Sequence, residues 1–138
     1  MVRQEKDDDK TRVQPPVKSA KKKIPARFRA SIVIVEGHAE GMEYPIEKIS
    51  TVLGRDKNAD IAIKDPSISR QHAAIVYHDS MFILKDLGST NGTYVKSKPV
   101  EKVRLRHRDK FRIGDTLIQF ILEETSGVQV YEVQDEDD

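Results

Sequence analysis

Short apolar runs alternate with polar turn residues along the middle of the chain, and this alternation predicts strands. The clearest run, 32–35, consists entirely of β-branched residues and ends just before Gly37, as a strand followed by a turn would. Similar runs follow at short intervals, at 42–46, 51–53, 61–63, 73–77, 81–87, 93–95, 103–105, 111–113 and 116–122. Gly114 and Asp115 separate the last two runs, which is typical of a two-residue hairpin turn. About ten short strands without a long amphipathic helix predict an all-β sandwich.

The two ends of the chain differ from this middle part in charge. Residues 1–27 contain nine Lys/Arg and four Asp/Glu and have almost no apolar periodicity, whereas 123–138 contain seven acidic residues and no basic one. We therefore expect three parts: a flexible charged arm at 1–27 with a hypothetical regulatory role, a folded domain at 28–124, and an acidic tail at 125–138. Within the tail, 128–133 is a candidate edge strand.

The composition excludes several classes of protein. A chain of 138 residues, 37 % of them hydrophobic, fits one domain with tails. The lack of cysteine excludes disulfides, a thiolate nucleophile and a sulfur-based zinc site. There is no apolar run of about 18 residues, and the four scattered histidines show no spacing typical of metal ligands. We expect a soluble cytoplasmic protein without a membrane segment, metal or cofactor.

Three polar clusters lie between these runs, at 54–55, 69–72 and 88–93. Each follows or precedes a predicted strand, so each is predicted to be a loop, and the spacing would bring all three to one end of the sandwich. Together they offer an arginine fork, several hydroxyls, a carboxamide and turn amides, which is a donor set that suits a phosphate group.

Each cluster taken alone also fits an ordinary structural role. Arg55 could cover apolar surface with its stem, and Ser69 could make a local turn hydrogen bond. His72, beside an apolar run, is better interpreted as a buried structural residue than as a catalytic base. Gly88 and Gly92 permit positive φ, as a tight turn requires.

The set Gly54-Arg55, Ser69-x-x-His72 and Gly88-Ser89-Thr90-Asn91-Gly92, in this order and spacing, resembles the motifs of the forkhead-associated (FHA) domain over roughly residues 30–122. The resemblance implies an eleven-stranded, mainly antiparallel β-sandwich whose loops bind phosphothreonine peptides in signalling adaptors. It also implies a role for each matching residue: Arg55 and Ser69 on the phosphate, Arg70 beside it, Thr90 at the threonine-methyl pocket, Asn91 on the peptide main chain, and Gly54, His72, Gly88 and Gly92 as structural support. The expected partners are phosphothreonine proteins and a serine/threonine kinase.

Thr11 lies in the N-terminal arm after the acidic run 7–9. It is either a solvated polar residue or a phosphorylation site that docks into the protein's own pocket. Some small bacterial FHA proteins have such a threonine on an N-terminal arm. Self-docking would give an autoinhibited switch.

A phosphate-independent interaction scaffold is one alternative to phosphopeptide binding. Two further classes of function also compete with it. The first is nucleic-acid binding through a basic arm, whose cations are Lys18, Lys21, Lys22, Lys23 and Arg27. The low aromatic content of 6 % and the acidic tail argue against it. The second is an enzyme built on Ser69 and His72, with Asp86 or Asp109 as a third member. No nucleophile-elbow pattern surrounds Ser69, so we expect no catalysis.

Overall fold

Two sheets built from eleven strands pack face to face in a computed structural model that describes residues 22–125. The strands are β1 (Phe28–Glu36), β2 (Glu43–Ile46), β3 (Ser50–Gly54), β4 (Ile61–Ala62), β5 (Ala73–His78), β6 (Met81–Asp86), β7 (Thr93–Val95), β8 (Lys98–Pro99), β9 (Lys102–Leu105), β10 (Lys110–Ile113) and β11 (Thr116–Glu124). None of the described residues belongs to a helix that is long and apolar enough to cross a membrane. The predicted all-β sandwich is confirmed.

The first sheet has five strands in the order β9-β6-β5-β3-β4, and the second has six in the order β2-β1-β11-β10-β7-β8. Every strand pair within residues 22–125 is antiparallel except β3 and β4, where Leu53 pairs with Ile61 in parallel. The longest pairing joins β1 to β11, so the first and last strands lie side by side.

The core lies between the sheets and is filled mainly by alternate residues of the longer strands, as the period of two requires. Phe82 lies at its centre, with ring centroids 5.7 Å from Phe28, 5.2 Å from Tyr77 and 5.3 Å from Phe120. Large buried aromatic and branched side chains of this kind stabilise a small domain by about 1.5–3 kcal/mol each. This core provides the rigid frame on which the loops are mounted.

The predicted runs correspond to ten of the eleven strands, and the predicted two-residue turn is present, with Gly114 at φ 56°. The sequence did not indicate β8, because Lys98 and Pro99 are exposed and have no apolar pattern. Its turn at Lys96 and Ser97 has positive φ at both residues and no glycine, so the usual hairpin signal is absent there.

The loops 55–60, 63–72 and 87–92 lie at one end of the sandwich, which we call the loop end. The first and last described residues lie at the opposite, terminal end: the Thr125 amide donates to the Arg27 carbonyl at 2.8 Å, and the Ile49 amide donates to the Lys22 carbonyl at 2.9 Å. Residues 22–27 of the predicted arm are thus in contact with the sandwich. Thr11 and the candidate strand 128–133 lie outside the described residues.

Candidate functional site

Arg55 follows β3 directly, and its side chain is braced against the neighbouring loop. Its Nε donates to the Ile68 carbonyl at 2.9 Å, while its amide donates to the Ser69 carbonyl, also at 2.9 Å. The residue is exposed, and within residues 22–125 neither terminal guanidinium nitrogen has a hydrogen bond or ion pair. One edge of the guanidinium is therefore fixed, and the other is presented to solvent at the loop end.

Gly54 allows this close approach of the two loops. A Cβ built on Gly54 would lie 2.0 Å from the carbonyl oxygen of Arg70, well inside van der Waals contact. The Asp56 amide donates to that same carbonyl at 3.1 Å. The glycine predicted as structural support is thus required by sterics, at a position with no positive φ.

Ser69 lies at the junction of the second and third loops. Its Oγ accepts the Thr90 amide at 3.0 Å, and its own amide donates to Nδ1 of His72 at 3.0 Å. Because the oxygen accepts from Thr90, the hydroxyl proton stays available to an incoming acceptor. Arg70 is exposed beside it and holds the first loop through its backbone carbonyl.

His72 is completely buried, as predicted for a structural histidine. Its Nε2 lies 2.8 Å from the Gly92 carbonyl and must carry the ring proton, since Nδ1 accepts from Ser69. Asp86 and Asp109 bond neighbouring turns and form no hydrogen bond with the ring. No serine–histidine–aspartate relay exists among the described residues.

Thr90 and Asn91 occupy the tip of the 87–92 loop and are both exposed. Nδ2 of Asn91 donates to the Ser67 carbonyl at 2.8 Å, which turns the carboxamide toward the 63–72 loop. Within residues 22–125 its Oδ1 has no hydrogen-bond partner, so it can accept from a peptide amide. Gly88 and Gly92 have φ of 73° and 88°, which explains the glycines flanking this tip.

Asp86, at the end of β6, holds the 87–92 loop through its side-chain hydrogen bonds. Its carboxylate accepts from the hydroxyls of Ser89 (2.6 Å) and Thr93 (2.8 Å) and from the amides of Gly88 and Ser89. Partial burial alone would raise the pKa of Asp86, but these hydrogen bonds, led by the one from Ser89, together lower it below its usual range. The charged form therefore stabilises the loop.

Asp65 has the same role in the 63–72 loop. It accepts from the Ser67 hydroxyl at 2.6 Å, from the Ser67 amide at 2.9 Å, and from the Thr116 hydroxyl at 2.7 Å. Burial raises the pKa of Asp65, and the hydrogen bonds from Ser67 and Thr116 more than offset it, so the pKa is lowered. Ser67 Oγ in turn accepts the Asp115 amide at 2.8 Å, which ties this loop to the β10–β11 turn.

Asp65 was not predicted as a supporting residue, and Asp86 was considered only as a catalytic one. A signal was present in both cases. In Asp65-Pro66-Ser67 and in Asp86-Leu87-Gly88-Ser89, an aspartate precedes a turn serine by two or three residues, as in side-chain-capped turns.

The structure thus brings Arg55, Ser69, Arg70, Thr90 and Asn91 to the loop end, with Gly54, His72, Gly88 and Gly92 supporting them. No group of three or more potential metal ligands occurs among the described residues. Arginine nitrogens, a free hydroxyl proton and a carboxamide can hold an anion and a peptide backbone. The arrangement provides no paired nucleophile and base.

Comparison with known proteins agrees with this geometry. The FHA domain family matches residues 51–114. The glycogen accumulation regulator GarA of Mycobacterium tuberculosis is 33 % identical over 92 residues, covering 67 % of this chain and 57 % of the relative. The oxoglutarate dehydrogenase inhibitor of Corynebacterium diphtheriae is 33 % identical over 90 residues, covering 65 % of this chain and 63 % of the relative. The chain therefore spans somewhat over half the length of these curated relatives.

A solved structure from a study of phosphothreonine-dependent FHA domain interactions superimposes with a TM-score of 0.62. It is 30 % identical in sequence, and the match covers 67 % of this chain and 95 % of that one. The motif residues, the two-sheet topology and these matches all identify the same family: this chain belongs to the FHA domain family.

Proposed function

We propose that the loop end binds phosphothreonine peptides and that the protein acts as a non-catalytic signalling adaptor. The observation that carries this proposal is the fixed orientation of the Arg55 guanidinium. Its Nε is fixed on the Ile68 carbonyl, while its two terminal nitrogens face solvent beside Ser69. A guanidinium held in one orientation loses little conformational entropy when it binds a dianionic phosphate. The study of phosphothreonine-dependent interactions of the related FHA domain supports the choice of ligand.

The remaining residues complete the binding site. The Ser69 hydroxyl donates to a phosphate oxygen, and Arg70 adds positive charge beside it. Oδ1 of Asn91 accepts a peptide amide while Nδ2 stays on Ser67. Thr90 packs against the threonine methyl group, which is worth about 0.8 kcal/mol, or about fourfold in affinity over phosphoserine, if transfer alone contributes.

The direct test is a fluorescence-anisotropy titration of the full chain with the same degenerate peptide library in three forms, which carry phosphothreonine, phosphoserine or unmodified threonine at the fixed position. A degenerate flanking sequence avoids assuming a particular partner. We expect micromolar binding of the phosphothreonine form, weaker binding of phosphoserine and none of the unmodified peptide. Equal binding of all three forms would instead favour the phosphate-independent scaffold.

Self-docking of phosphorylated Thr11 is the regulatory part of the proposal. The arm is attached at Lys22, at the terminal end, and β3 spans the distance to Arg55. Arg55 is six residues beyond Ile49, or about 20 Å along an extended chain. Eleven residues from Thr11 to Lys22 span about 17–20 Å as a flexible coil and about 36–40 Å when extended. The arm is therefore long enough to reach the site.

Tethering at this length gives an effective concentration on the order of millimolar, so a micromolar phosphopeptide site would be mostly closed. A serine/threonine kinase would control this switch and would also phosphorylate the partner proteins. Because the kinase needs ATP, we expect the protein to act in the cytoplasm. The test compares the full chain phosphorylated on Thr11 with the Thr11→Ala chain. We expect affinity for a second phosphothreonine peptide to fall about a hundredfold or more on phosphorylation. Unchanged affinity would refute self-docking and leave the binding site itself intact.

A further inference from the structure

An open groove of about 900 Å³ lies along β7, β9 and β10. None of its lining residues belongs to the loops 55–60, 63–72 or 87–92, so it is separate from the site described above. Six of its fourteen lining residues are cationic and one is acidic, Asp109. We call it the basic groove and define it by its cations, Lys96, Arg104, Arg106, Arg108, Lys110 and Arg112.

Most of this charge is uncompensated. Arg112 forms an ion pair with Glu36 at 3.3 Å, whereas the other five cations make no ion pair within residues 22–125. The Asp109 carboxylate accepts the Arg106 amide at 2.8 Å and so caps its own loop. Positive charges along a concave surface focus the electrostatic potential and attract anions. The basic groove therefore fits an acidic ligand.

The last described strand, β11, lies beside the loop 106–109 of this groove. The loop 106–109 is bonded to β11: the Arg108 amide donates to the Phe120 carbonyl at 2.7 Å, and the Leu122 amide donates to Nδ1 of His107 at 3.1 Å. Thr125 is three residues beyond Leu122, or about 10 Å along an extended chain. The tail thus begins close to Arg106 and Arg108.

The segment that follows is complementary in charge and long enough. Residues 126–138 contain five acidic residues and no basic one, and four of the five are the last four residues of the sequence. Thirteen residues span about 18–22 Å as a flexible coil, which exceeds the distance from Thr125 back to the 106–109 loop. Tethering also raises the local concentration of the acidic segment at the groove to the order of millimolar.

We propose that the acidic segment 132–138 binds in the basic groove of its own chain. The contact neutralises the groove and covers it against other polyanions, including nucleic acids. The loop 106–109 takes no part in the phosphopeptide site, and this contact would give its cations a role. The proposal does not depend on the function of the phosphopeptide site.

The test uses the full chain with a nitroxide spin label at one position. The protein has no cysteine, so Gln134→Cys creates a single attachment site. Amide signals of the ¹⁵N-labelled protein are compared with the spin label oxidised and reduced. We expect selective loss of signal at Arg104, Arg106 and Arg108, with Ser69 and Thr90 unaffected at the loop end. At about 1 M salt, where the Debye length falls to about 3 Å, the effect should disappear.

Charge variants separate this contact from random encounter. Neutralising the tail by Asp135→Asn, Glu136→Gln, Asp137→Asn and Asp138→Asn should remove the signal loss, as should Arg104→Gln with Arg106→Gln. Arg29→Gln on β1 is the matched control and should change nothing.

The proposal would be overturned by uniform signal loss over the surface, by selective loss at Lys22 and Lys23 instead of the groove, or by persistence of the effect in the neutralised tail. A mixture of spin-labelled unenriched chains and unlabelled ¹⁵N chains should show no signal loss. Signal loss in that mixture would place the tail on another copy and would also contradict the proposal.

Discussion

Nε2 of His72 lies 2.8 Å from the carbonyl oxygen of Gly92, and this contact joins two loops that are 20 residues apart in sequence. The same ring accepts the Ser69 amide at 3.0 Å through Nδ1. One buried imidazole therefore fixes the distance between the serine that would donate to phosphate and the tip that carries Thr90 and Asn91. The geometry of the site depends on a residue that a ligand would not touch.

We expect His72→Ala to lower the free energy of unfolding by about 2–4 kcal/mol. The substitution leaves the Ser69 amide and the Gly92 carbonyl without partners, and a buried unsatisfied group costs about 1–3 kcal/mol. His78→Ala, in an exposed position at the end of β5, is the control and should change stability by less than about 0.5 kcal/mol. Urea unfolding followed by circular dichroism measures both, and equal midpoints for the two variants would contradict the structural role of His72.

The strand pattern was predictable because most strands here have one buried and one exposed face, which gives alternation in the sequence. β1 is longer than predicted, since it begins at Phe28, four residues before the β-branched run 32–35. β8 could not be predicted, because it is held by pairing with β7 and by a turn with positive φ at Lys96 and Ser97, neither of which leaves a local signal.

The site was only partly predictable for a related reason. Arg55, Ser69 and Asn91 stood out because polar residues interrupt apolar runs there. Their bracing contacts, Arg55 to Ile68 and Asn91 to Ser67, use backbone carbonyls. A carbonyl acceptor is present at every residue, so no sequence pattern identifies which one is used.

Gly54→Ala should destabilise the protein more than Gly41→Ala. The added Cβ at Gly54 meets the Arg70 carbonyl at 2.0 Å, so the 63–72 loop must move. At Gly41 the Cβ would have no heavy atom within 4 Å, and only the positive φ of 90° is unfavourable, at about 1–2 kcal/mol. Thermal unfolding of the two variants gives the comparison. A larger loss for Gly41→Ala would show that the loop tolerates displacement from β3.

Arg55 and Ser69 should contribute unequally to phosphopeptide affinity. Arg55→Ala removes a charge-assisted contact and should cost about 2–4 kcal/mol, whereas Ser69→Ala should cost about 1–2 kcal/mol. The affinity of Arg55→Lys should be intermediate. Lysine keeps the charge, but its single nitrogen cannot both donate to the Ile68 carbonyl and offer two further donors to the phosphate. Arg29→Ala is the control for net charge. Anisotropy titrations provide the affinities, and wild-type affinity in folded Arg55→Ala would place the phosphate elsewhere.

The charged form of Asp86 makes the stability of the 87–92 loop dependent on acid pH. Burial raises the pKa of Asp86, but hydrogen bonds from Ser89, Thr93 and the Gly88 amide lower it by more than burial raises it. The folded pKa therefore lies below the unfolded value of about 3.9. The folded state then binds this proton more weakly than the unfolded state. Its contribution to stability is complete above the unfolded pKa and is lost as the pH falls through the folded pKa.

Asp86→Asn should therefore be less stable than the wild type by about 1–3 kcal/mol at pH 7, because a charged acceptor of several hydrogen bonds is replaced by a neutral one. The deficit should stay constant down to about pH 5 and shrink below about pH 4, where Asp86 becomes protonated in the unfolded wild-type chain, until the pH reaches the folded pKa. Asp79→Asn, in the exposed β5–β6 turn, is the matched control. Urea unfolding between pH 7 and pH 3 measures the difference, and a deficit that grows toward acid pH would show that the carboxylate does not stabilise the loop in its charged form.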